Sequence, residues 1–245
     1  MKLEGRHALV TGGGTGIGAA IARALAAEGA KLTLVGRRRE PLEEVGAGDF
    51  DALVAPADVT DREQVEAAFA IAREAQGPIS ILVNNAGAAA GVPFGKVSGQ
   101  LWRDMLAVNL DGVFHCCQAA LRDLLADERG RIVTVASMAG LHGFAYAAPY
   151  IAAKHGAVGL TRALAAEYAR TNLKVNAVCP GFVDSDMTQQ SIANISAKTG
   201  RSTGEAVAEL ARLNPSGRLI RPEEVAAAVL DLVLSDRNGE AVEVA

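Results

Sequence analysis

The amino-acid sequence predicts an α/β fold: one doubly wound domain over residues 1–245, with a parallel seven-stranded sheet and helices on both faces. Three observations support this prediction. Short β-rich runs alternate with longer runs of helical periodicity, a glycine-rich turn follows the first strand, and polar or glycine residues follow the next five. Such alternation is typical of parallel strands joined by right-handed helical crossovers.

The alternation assigns most of the chain to strands and helices. The predicted strands are residues 8–10, 32–35, 52–55, 81–83, 132–136, 175–178 and 241–244. The predicted helices are residues 17–28, 62–76, 101–126, 150–170 and 222–234, with a shorter helix at 39–45. Residues 184–214 are polar and contain no strand pattern, and long insertions of this kind are often active-site lids.

Composition excludes several classes of function. Half of the residues are hydrophobic, 21% are charged and the net charge is −4, so the chain can bury a large core but has no basic stripe for nucleic acid. The polar N-terminus and the absence of an apolar run near 18 residues predict neither a signal peptide nor a membrane span. Cys116, Cys117 and Cys179 form no CxxC pair, so we expect a cytoplasmic protein without a metal site.

Residues suited to ligand binding follow the first six predicted strands. In order, these are "TGGGTGIG" (11–18), Arg37, Asp58, "NNAG" (84–87), Ser137 and "PG" (180–181). Each of them could be ordinary turn chemistry. Ligands of open parallel sheets bind outside the carboxyl ends of the strands, so six such ends predict one long ligand lying across that edge.

The glycine-rich turn fits the pattern T-G-x-x-x-G-x-G, with Gly12, Gly16 and Gly18 at the glycine positions. Glycines allow a tight turn and a close approach of the backbone to phosphate. The helix that follows presents free N–H groups and a positive dipole end to a pyrophosphate. The turn therefore predicts a dinucleotide-binding Rossmann domain, with a ligand-free glycine turn as the alternative.

An ordered set of motifs resembles the short-chain dehydrogenase/reductase family over nearly the whole chain. Tyr150 lies thirteen positions after Ser137 and four before Lys154, which is family-like spacing. The residues that carry the resemblance are 11–18, Asp58, 84–87, Asn109, Ser137, 150–154 and 180–181. Y-x-x-x-K alone is common by chance, whereas the whole set is specific.

The pair Tyr150 and Lys154 suggests acid–base chemistry. On a helix that starts near Pro149, positions i and i+4 face the same way. A phenol titrates near pH 10, and lowering that pKa to about 7 requires about 4 kcal/mol of preference for the phenolate. A unit charge about 4 Å away supplies roughly this energy at an effective dielectric constant of 20. We therefore expect Lys154 to lower the pKa of Tyr150; the alternative is a surface pair that shares a face by accident.

The resemblance implies the role of each catalytic residue. Tyr150 is the general acid in carbonyl reduction and the base in alcohol oxidation, and Ser137 donates a hydrogen bond to the substrate oxygen. Lys154 lowers the tyrosine pKa and binds the nicotinamide ribose hydroxyls. Asn109 holds a water in a proton relay with Lys154, or alternatively is a structural residue that bends its helix.

The end of the second strand predicts NADP(H) as the preferred cofactor, with NAD(H) possible. Folds that select NAD usually have Asp or Glu there, but this sequence has Gly36 followed by Arg37 and Arg38, which suit a 2′-phosphate. The alternative is a solvated charge run. Thr15 argues against NADP(H), because many NADP-preferring relatives have a basic residue within the glycine turn.

The resemblance also implies a full set of cofactor contacts. Asp58 and Val59 would contact adenine, the 84–87 segment would line the adenosine ribose, and residues 180–185 would flank the nicotinamide. Ser185 departs from the threonine usual in relatives but keeps its hydroxyl. The expected contacts are Gly12, Gly14, Thr15, Gly16, Ile17, Gly18, Arg37, Arg38, Asp58, Val59, Asn84, Asn85, Ala86, Gly87, Tyr150, Lys154, Pro180, Gly181, Val183 and Ser185.

An apolar wall formed by residues 138–146 and 182–214 predicts a small-molecule ketone with an apolar chain or ring. The expected substrate contacts are Ser137, Met138, His142, Phe144, Tyr150 and Phe182. The segments "AAPYIAAKHG" and "NAVCPGFV" are similar to 3-oxoacyl-thioester and polyketide ketoreductases. The alternatives are an NAD-dependent 3-hydroxyacyl-CoA or other secondary-alcohol dehydrogenase, a dinucleotide-sensing regulator, and a nucleotide-sugar epimerase, whose relatives are usually longer.

Relatives are mostly homotetramers that pair two helices across two-fold axes. The predicted helices 101–126 and 150–170 would be those helices, and both are apolar enough to bury a second face. A homotetramer is therefore expected, although the sheet could equally consume that apolar surface.

Overall fold

The computed structural model describes residues 1–48 and 50–245, apart from the side chain of Lys198. The described residues form one parallel sheet with strand order β3-β2-β1-β4-β5-β6-β7. The strands are β1 (His7–Thr11), β2 (Lys31–Gly36), β3 (Ala52–Pro56), β4 (Ile81–Asn84), β5 (Arg131–Val135), β6 (Lys174–Pro180) and β7 (Ala241–Val244). The fold class predicted from the sequence is confirmed.

Nine α-helices lie within the described residues. They are α1 (Gly16–Ala27), α2 (Arg39–Gly46), α3 (Arg62–Gln76), α4 (Gly99–Leu106), α5 (Gly112–Ala126), α6 (Ala148–Glu167), α7 (Asp186–Thr199), α8 (Thr203–Ala211) and α9 (Pro222–Leu234). The helices α3 and α9 and the strand β7 have the predicted bounds. The other predicted elements differ from the structure by one to three residues at their ends, except in the region of α4 and α5.

The order of the strands reverses next to β1. Ala8 of β1 lies opposite Leu32 of β2 on one side and opposite Ile81 of β4 on the other. The connections from β1 and from β4 therefore leave in opposite directions, which opens a crevice at the carboxyl ends of these two strands. Ligands of doubly wound sheets bind at such a switch point.

Both faces of the sheet are covered, which is why the central strands are apolar runs without alternation. On one face, α1 and α9 pack together, with Ile21, Leu25 and Val229 among their buried residues. On the other face, Phe69 of α3 and Leu124 of α5 are fully buried in a second cluster. These two layers hold the sheet edge in a fixed position for the loops that leave it.

Capping residues in the sequence mark several helix starts. The side chain of Asp61 accepts hydrogen bonds from the amides of Glu63 and Gln64 at the start of α3. Ser202 and Glu205 form a capping box at α8, and Pro222 is the first residue of α9. The capping side chains bind amides that have no partner within the helix, and proline occupies a position where no amide hydrogen is needed. Such residues mark helix starts in a sequence.

The single helix predicted at 101–126 is wrong in detail. A π-helical segment, Ala107–Asp111, separates α4 from α5. Hydrophobic periodicity cannot show a π-turn, because a π-turn inserts one extra residue without changing the residue types around it. Asn109 lies within this segment and is fully buried.

The predicted lid region, residues 184–214, contains α7 and α8. These helices pack around a small cluster of Ile192, Ala206 and Leu210, which Phe182 also joins. No helix in the described part of the chain is long and apolar enough to cross a membrane.

Candidate active site

The glycine turn forms one wall of a cleft at the switch point. Gly12 and Gly16 have φ values of 64° and 50°, in the left-handed region that glycine tolerates. A Cβ at position 18 would lie 2.0 Å from the carbonyl oxygen of Gly12. Only glycine therefore fits at this position in the first turn of α1. The side chain of Thr15, the N-cap of α1, makes no capping hydrogen bond. The first amides of α1 are therefore left for a ligand at the helix N-terminus.

Asn85 fixes the glycine turn from the neighbouring strand end. Its Nδ2 donates to the carbonyl oxygens of Thr11 and Gly12, at 3.0 and 3.1 Å. The Oγ1 of Thr11 in turn accepts from the amides of Asn85 and Ala86, both at 3.0 Å. This reciprocal network joins the ends of β1 and β4 and holds the turn in one shape.

The cleft brings the glycine turn together with the predicted catalytic residues. It is lined by Gly12, Thr15, Gly16, Ile17, Gly18, Asn85, Ala86, Gly87, Val135, Ala136, Ser137, Tyr150, Lys154, Pro180, Gly181, Val183, Ser185, Asp186, Met187 and Thr188. These residues come from the carboxyl ends of β1, β4, β5 and β6, from the first turn of α1 and from α6 and α7. Four of the six predicted strand ends, those of β1, β4, β5 and β6, therefore meet in one continuous site, and the ends of β2 and β3 lie outside it.

Ser137, Tyr150 and Lys154 converge within this cleft. The Oγ of Ser137 accepts from the amide of Ala139 at 3.1 Å, which fixes the orientation of the serine hydroxyl. Lys154 is buried, and its Nζ donates to the carbonyl oxygen of Val135 at 3.0 Å. That Nζ lies 5.7 Å from the centre of the Tyr150 ring. The i, i+4 geometry predicted for the tyrosine and the lysine is present.

Burial controls the protonation of both residues. Desolvation raises the pKa of the Tyr150 phenol, and the neighbouring Ser137 hydroxyl opposes part of this rise. Desolvation also lowers the pKa of Lys154 to about 8. Without the cofactor, desolvation therefore sets the direction of the Tyr150 pKa, opposite to the lowering that we expected from Lys154. The ammonium is held by a backbone carbonyl beneath the ring, and the loss of hydration outweighs its charge.

Asn109 is held by the main chain. Its Nδ2 donates to the carbonyl oxygens of Ala88 and Met105 at 2.9 and 3.0 Å, and its Oδ1 accepts from the amide of Ala88 at 3.3 Å. Both amide hydrogens are thus in use, and one lone pair of Oδ1 is left for a water. A Cβ at Gly87 would be 2.8 Å from Asn109 Oδ1 and 3.6 Å from Lys154 Nζ, so Gly87 separates the two side chains.

Arg37 and Arg38 lie at the end of β2 and are exposed. Within the described residues, neither guanidinium forms a hydrogen bond or an ion pair, whereas the next residue, Arg39, pairs with Glu43 at 3.2 Å. Two free cationic groups beside the glycine turn suit an added phosphate. They do not line the cleft itself but lie at the β2 side of it.

Besides Arg37 and Arg38, four further expected cofactor contacts lie outside the cleft. Asn84 is buried and donates from Nδ2 to Cys117 Sγ at 3.4 Å, so its side chain points into the core. Val59 is also buried, against Gly112. Asp58 accepts from the amide and hydroxyl of Thr60 in its own turn. Gly14 faces α2, where a Cβ would meet the backbone of residues 41–42.

The expected substrate residues are divided between the cleft and its surroundings. Ser137 and Tyr150 line the cleft, and Met138 begins the turn that follows Ser137. Phe182 packs on the lid cluster instead. His142 is exposed, with its Nε2 3.8 Å from Glu243 Oε1 of β7. Phe144 is partly buried in the loop before α6.

The sequence analysis missed three residues of α7 that line the cleft: Asp186, Met187 and Thr188. Thr188 is buried, although most of α7 is exposed. Ser185 and Thr188 are three positions apart at the start of this helix, and such a pair faces the same way. Recognition of a helix start at residue 186 would have placed both hydroxyls on the inner face.

Comparison with known proteins identifies the family. The model of the short chain dehydrogenase family matches residues 6–196. The chain belongs to this family. It is 42% identical over 235 residues to a protein assigned as ketoacyl reductase 1 of the granaticin polyketide synthase in Streptomyces violaceoruber, covering 94% of this chain and 86% of that protein. The family resemblance predicted from the sequence is confirmed.

Two further proteins extend the comparison. The chain is 37% identical over 231 residues to a 3-oxoacyl-(acyl-carrier-protein) reductase of Vibrio cholerae, covering 94% of this chain and 90% of that protein. A crystal structure of a variant actinorhodin polyketide ketoreductase with NADPH superimposes with a TM-score of 0.92 at 38% identity. That match covers 98% of this chain and 95% of the other.

Proposed function

We propose that this protein is an NADP(H)-dependent carbonyl reductase that acts on 3-oxoacyl-type ketones. The observation that carries this proposal is the convergence of Ser137, Tyr150 and Lys154 in one cleft with the glycine turn. A regulator that only senses a dinucleotide would not need a phenol and an ammonium beside the nicotinamide end. The proposal therefore favours catalysis over sensing.

The cleft fits a dinucleotide on several independent grounds. The start of α1 offers uncapped amides for a pyrophosphate, and Gly18 lets the turn lie against the helix. Arg37 and Arg38 supply free guanidinium groups at the ribose end, which favours a 2′-phosphate over a 2′-hydroxyl. The cleft then continues to Tyr150 at the other end. The site therefore has its phosphate-binding groups at one end and Tyr150 at the other, which matches the two ends of NADP(H).

The bound dinucleotide supplies the hydride that is added to the substrate carbonyl carbon. Ser137 Oγ orients the carbonyl oxygen, and Tyr150 donates its phenolic proton to that oxygen. A phenol is protonated near neutral pH, as reduction requires, and burial raises the pKa of Tyr150 further. Lys154, held by Val135, would bind the ribose hydroxyls of the cofactor.

The relatives support the substrate class. The proteins from Streptomyces violaceoruber and Vibrio cholerae carry ketoacyl and 3-oxoacyl reductase names, and the actinorhodin enzyme is a polyketide ketoreductase. A galactitol 2-dehydrogenase of Cereibacter sphaeroides is 41% identical over 237 residues, so oxidation of a secondary alcohol by the same residues is the second candidate. The ketoacyl and 3-oxoacyl reductase names of the other relatives favour reduction between these two.

We also propose that residues 184–214 act as a substrate lid and that the chain assembles as a cytoplasmic homotetramer. The start of α7 lines the cleft, as a lid requires.

Phe114 and Leu125 of α5 are exposed, with 41% and 37% of their surface accessible, which suits burial against a second subunit. Cys116, Cys117 and Cys179 are free and buried, which suits a reducing compartment. Light scattering on the purified protein in solution measures the number of subunits in the assembly.

A substrate panel with both nicotinamide cofactors tests the proposed function. We expect NADPH oxidation with 3-oxoacyl thioesters and their ester analogues, and a lower kcat/KM with NADH. Secondary alcohols with NADP should react in reverse at a lower kcat/KM near pH 7. Absence of turnover with every ketone and alcohol, in protein shown to bind NADPH, would refute a catalytic role.

A further inference from the structure

Asn214, the last residue of the proposed lid, is a buried polar residue that the sequence analysis did not select. Only 3% of its surface is accessible, although Leu213 and Pro215 on either side of it are exposed. A buried amide side chain is tolerated when its polar atoms form hydrogen bonds, and such bonds fix the groups that they join. The partners of Asn214 therefore show which part of the structure it holds.

The side chain of Asn214 joins the two ends of the lid. Its Oδ1 accepts from the amide of Phe182 at 2.8 Å, and its Nδ2 donates to the carbonyl oxygens of Phe182 and Arg218 at 2.9 and 2.6 Å. Both donor hydrogens and one acceptor position of the side-chain amide are thus in use. The bonds to Phe182 engage both polar main-chain groups of that residue and fix its position.

The bonds to Phe182 place Asn214 directly behind one wall of the cleft. Gly181 and Val183, on either side of Phe182 in the chain, line the cleft. A Cβ at position 181 would lie 2.2 Å from Asn214 Oδ1 and 3.1 Å from its Cγ, so the side-chain amide packs directly on the main chain of Gly181. Asn214 therefore sets the position of residues 181–183, here called the 181–183 wall.

The 181–183 wall lies at the reacting end of the cleft. It follows Pro180, whose carbonyl oxygen accepts from the Ser137 hydroxyl at 3.5 Å. Ser137 and Tyr150 line the same cleft as the wall. In the proposed reduction, the hydride donor must lie within reach of a carbonyl group held by these two hydroxyls. The wall is therefore close to the place where hydride transfer would occur.

The base of the lid gives Asn214 a rigid frame. Val183 and Ile220 form an isolated parallel bridge, and the amide of Ile220 donates to the Phe182 carbonyl oxygen at 2.9 Å. The guanidinium of Arg218 donates to both carboxylate oxygens of Glu224 in α9, at 2.8 and 2.6 Å. Because α9 packs on the sheet, this frame is attached to the core of the protein.

We propose that Asn214 is a positioning residue for hydride transfer, which holds the 181–183 wall where it orients the reactive ring of the bound cofactor. This inference rests on the proposed carbonyl reductase function. Asn214 acts through the main chain of Gly181 and Phe182. A misplacement of about 1 Å between reacting atoms can cost about 10²-fold in rate, so the loss of the bonds behind the wall should be measurable in the rate of hydride transfer.

The test compares Asn214→Ala with the matched control Asn238→Ala. The side chain of Asn238 also bonds the main chain twice: it accepts from the amide of Val175 and donates to the carbonyl oxygen of Ala165, both at 2.9 Å. Asn238 lies in the loop that enters β7, at the opposite end of the parallel sheet from the cleft. Asn214→Ser, which keeps a hydroxyl group, is measured alongside as the milder variant.

Kinetics with ethyl acetoacetate separate positioning from binding. In a single turnover of the NADPH complex, followed by stopped flow, Asn214→Ala should slow hydride transfer by roughly 10- to 100-fold. In the steady state, kcat should fall while KM for the ketone stays unchanged. Asn214→Ser should show the same changes at a smaller size, and Asn238→Ala should keep the wild-type rates.

Hydrogen–deuterium exchange of the cofactor-free protein tests the contact itself without turnover. The amide of Phe182 loses its acceptor in Asn214→Ala, so it should exchange roughly ten-fold or more faster than in the wild type. In Asn238→Ala it should exchange at the wild-type rate. The Kd for NADPH, measured by fluorescence titration, should stay close to the wild-type value because the glycine turn is intact in both variants.

The outcomes are distinguishable. Faster exchange at Phe182 with a wild-type rate of hydride transfer in Asn214→Ala would restrict Asn214 to a structural role and overturn the proposal. Equal slowing in Asn238→Ala would also overturn it, because the effect would then reflect a general loss of stability. Wild-type exchange at Phe182 in Asn214→Ala would contradict the contact on which the proposal rests. Absence of reduction of every ketone by the wild type, with NADPH bound, would instead refute the proposed function itself.

Discussion

Removal of the Asn109 side chain should destabilise the fold as well as the site. Asn109→Ala leaves the amide and the carbonyl oxygen of Ala88 without the partners that the structure gives them, and it removes one bond to Met105. Each buried group left unsatisfied costs about 1–3 kcal/mol, so two of them cost about 2–6 kcal/mol; because the Ala88 groups are only partly buried, we expect about 3 kcal/mol. For a chain of this length, the melting temperature should fall by roughly 6–12 °C.

Thermal unfolding followed by circular dichroism measures this change. Asn172→Ala is the matched control, since Asn172 is exposed and the same substitution there should leave the melting temperature unchanged. A decrease below 2 °C in Asn109→Ala would refute the structural role that the three hydrogen bonds imply. Loss of activity without loss of stability would then favour the water-relay role suggested by the family resemblance.

Three further predictions concern the cofactor site and the effect of pH on stability. Gly18→Ala should abolish NADPH binding in a fluorescence titration, because its Cβ would lie 2.0 Å from the oxygen of Gly12; binding at wild-type affinity would contradict the turn geometry. Arg37→Asp should lower the ratio of kcat/KM with NADPH to that with NADH by roughly ten-fold or more, and an unchanged ratio would remove the basis for NADP(H) preference. Burial lowers the pKa of His7 in the folded state, so the unfolded state binds the proton first as pH falls below about 6.5. Urea unfolding should therefore show a free energy of unfolding that falls between pH 7.5 and 5.5, and this fall should be absent in His7→Gln.

Much of the fold was predictable because local and global signals agree. The apolar strands, the glycine turn after β1 and the capping residues of α3 and α9 all point to one topology. The same holds for the ligand edge, since the ends of parallel strands must meet on one side of a sheet. The spacing of the family motifs then identified Ser137, Tyr150 and Lys154 as the expected catalytic residues.

The parts that sequence reasoning got wrong depend on three-dimensional packing. The π-helical segment coincides with the side-chain bonds of Asn109 to Ala88 and Met105, which no local pattern reveals. Of the adjacent residues Asn84 and Asn85, only Asn85 faces the glycine turn, because successive side chains at a strand end point to opposite sides. The direction of the Tyr150 pKa depends on desolvation, which a sequence does not show.

The steady-state rate of the Tyr150→Phe variant tests the central claim most directly, with Tyr168→Phe at the end of the same helix as control. If the Tyr150 phenol delivers the proton to the carbonyl oxygen, kcat for ketone reduction should fall by roughly 10²–10⁴-fold while NADPH still binds, and Tyr168→Phe should retain full activity. A kcat for Tyr150→Phe within a few-fold of the wild type would show that another group supplies the proton.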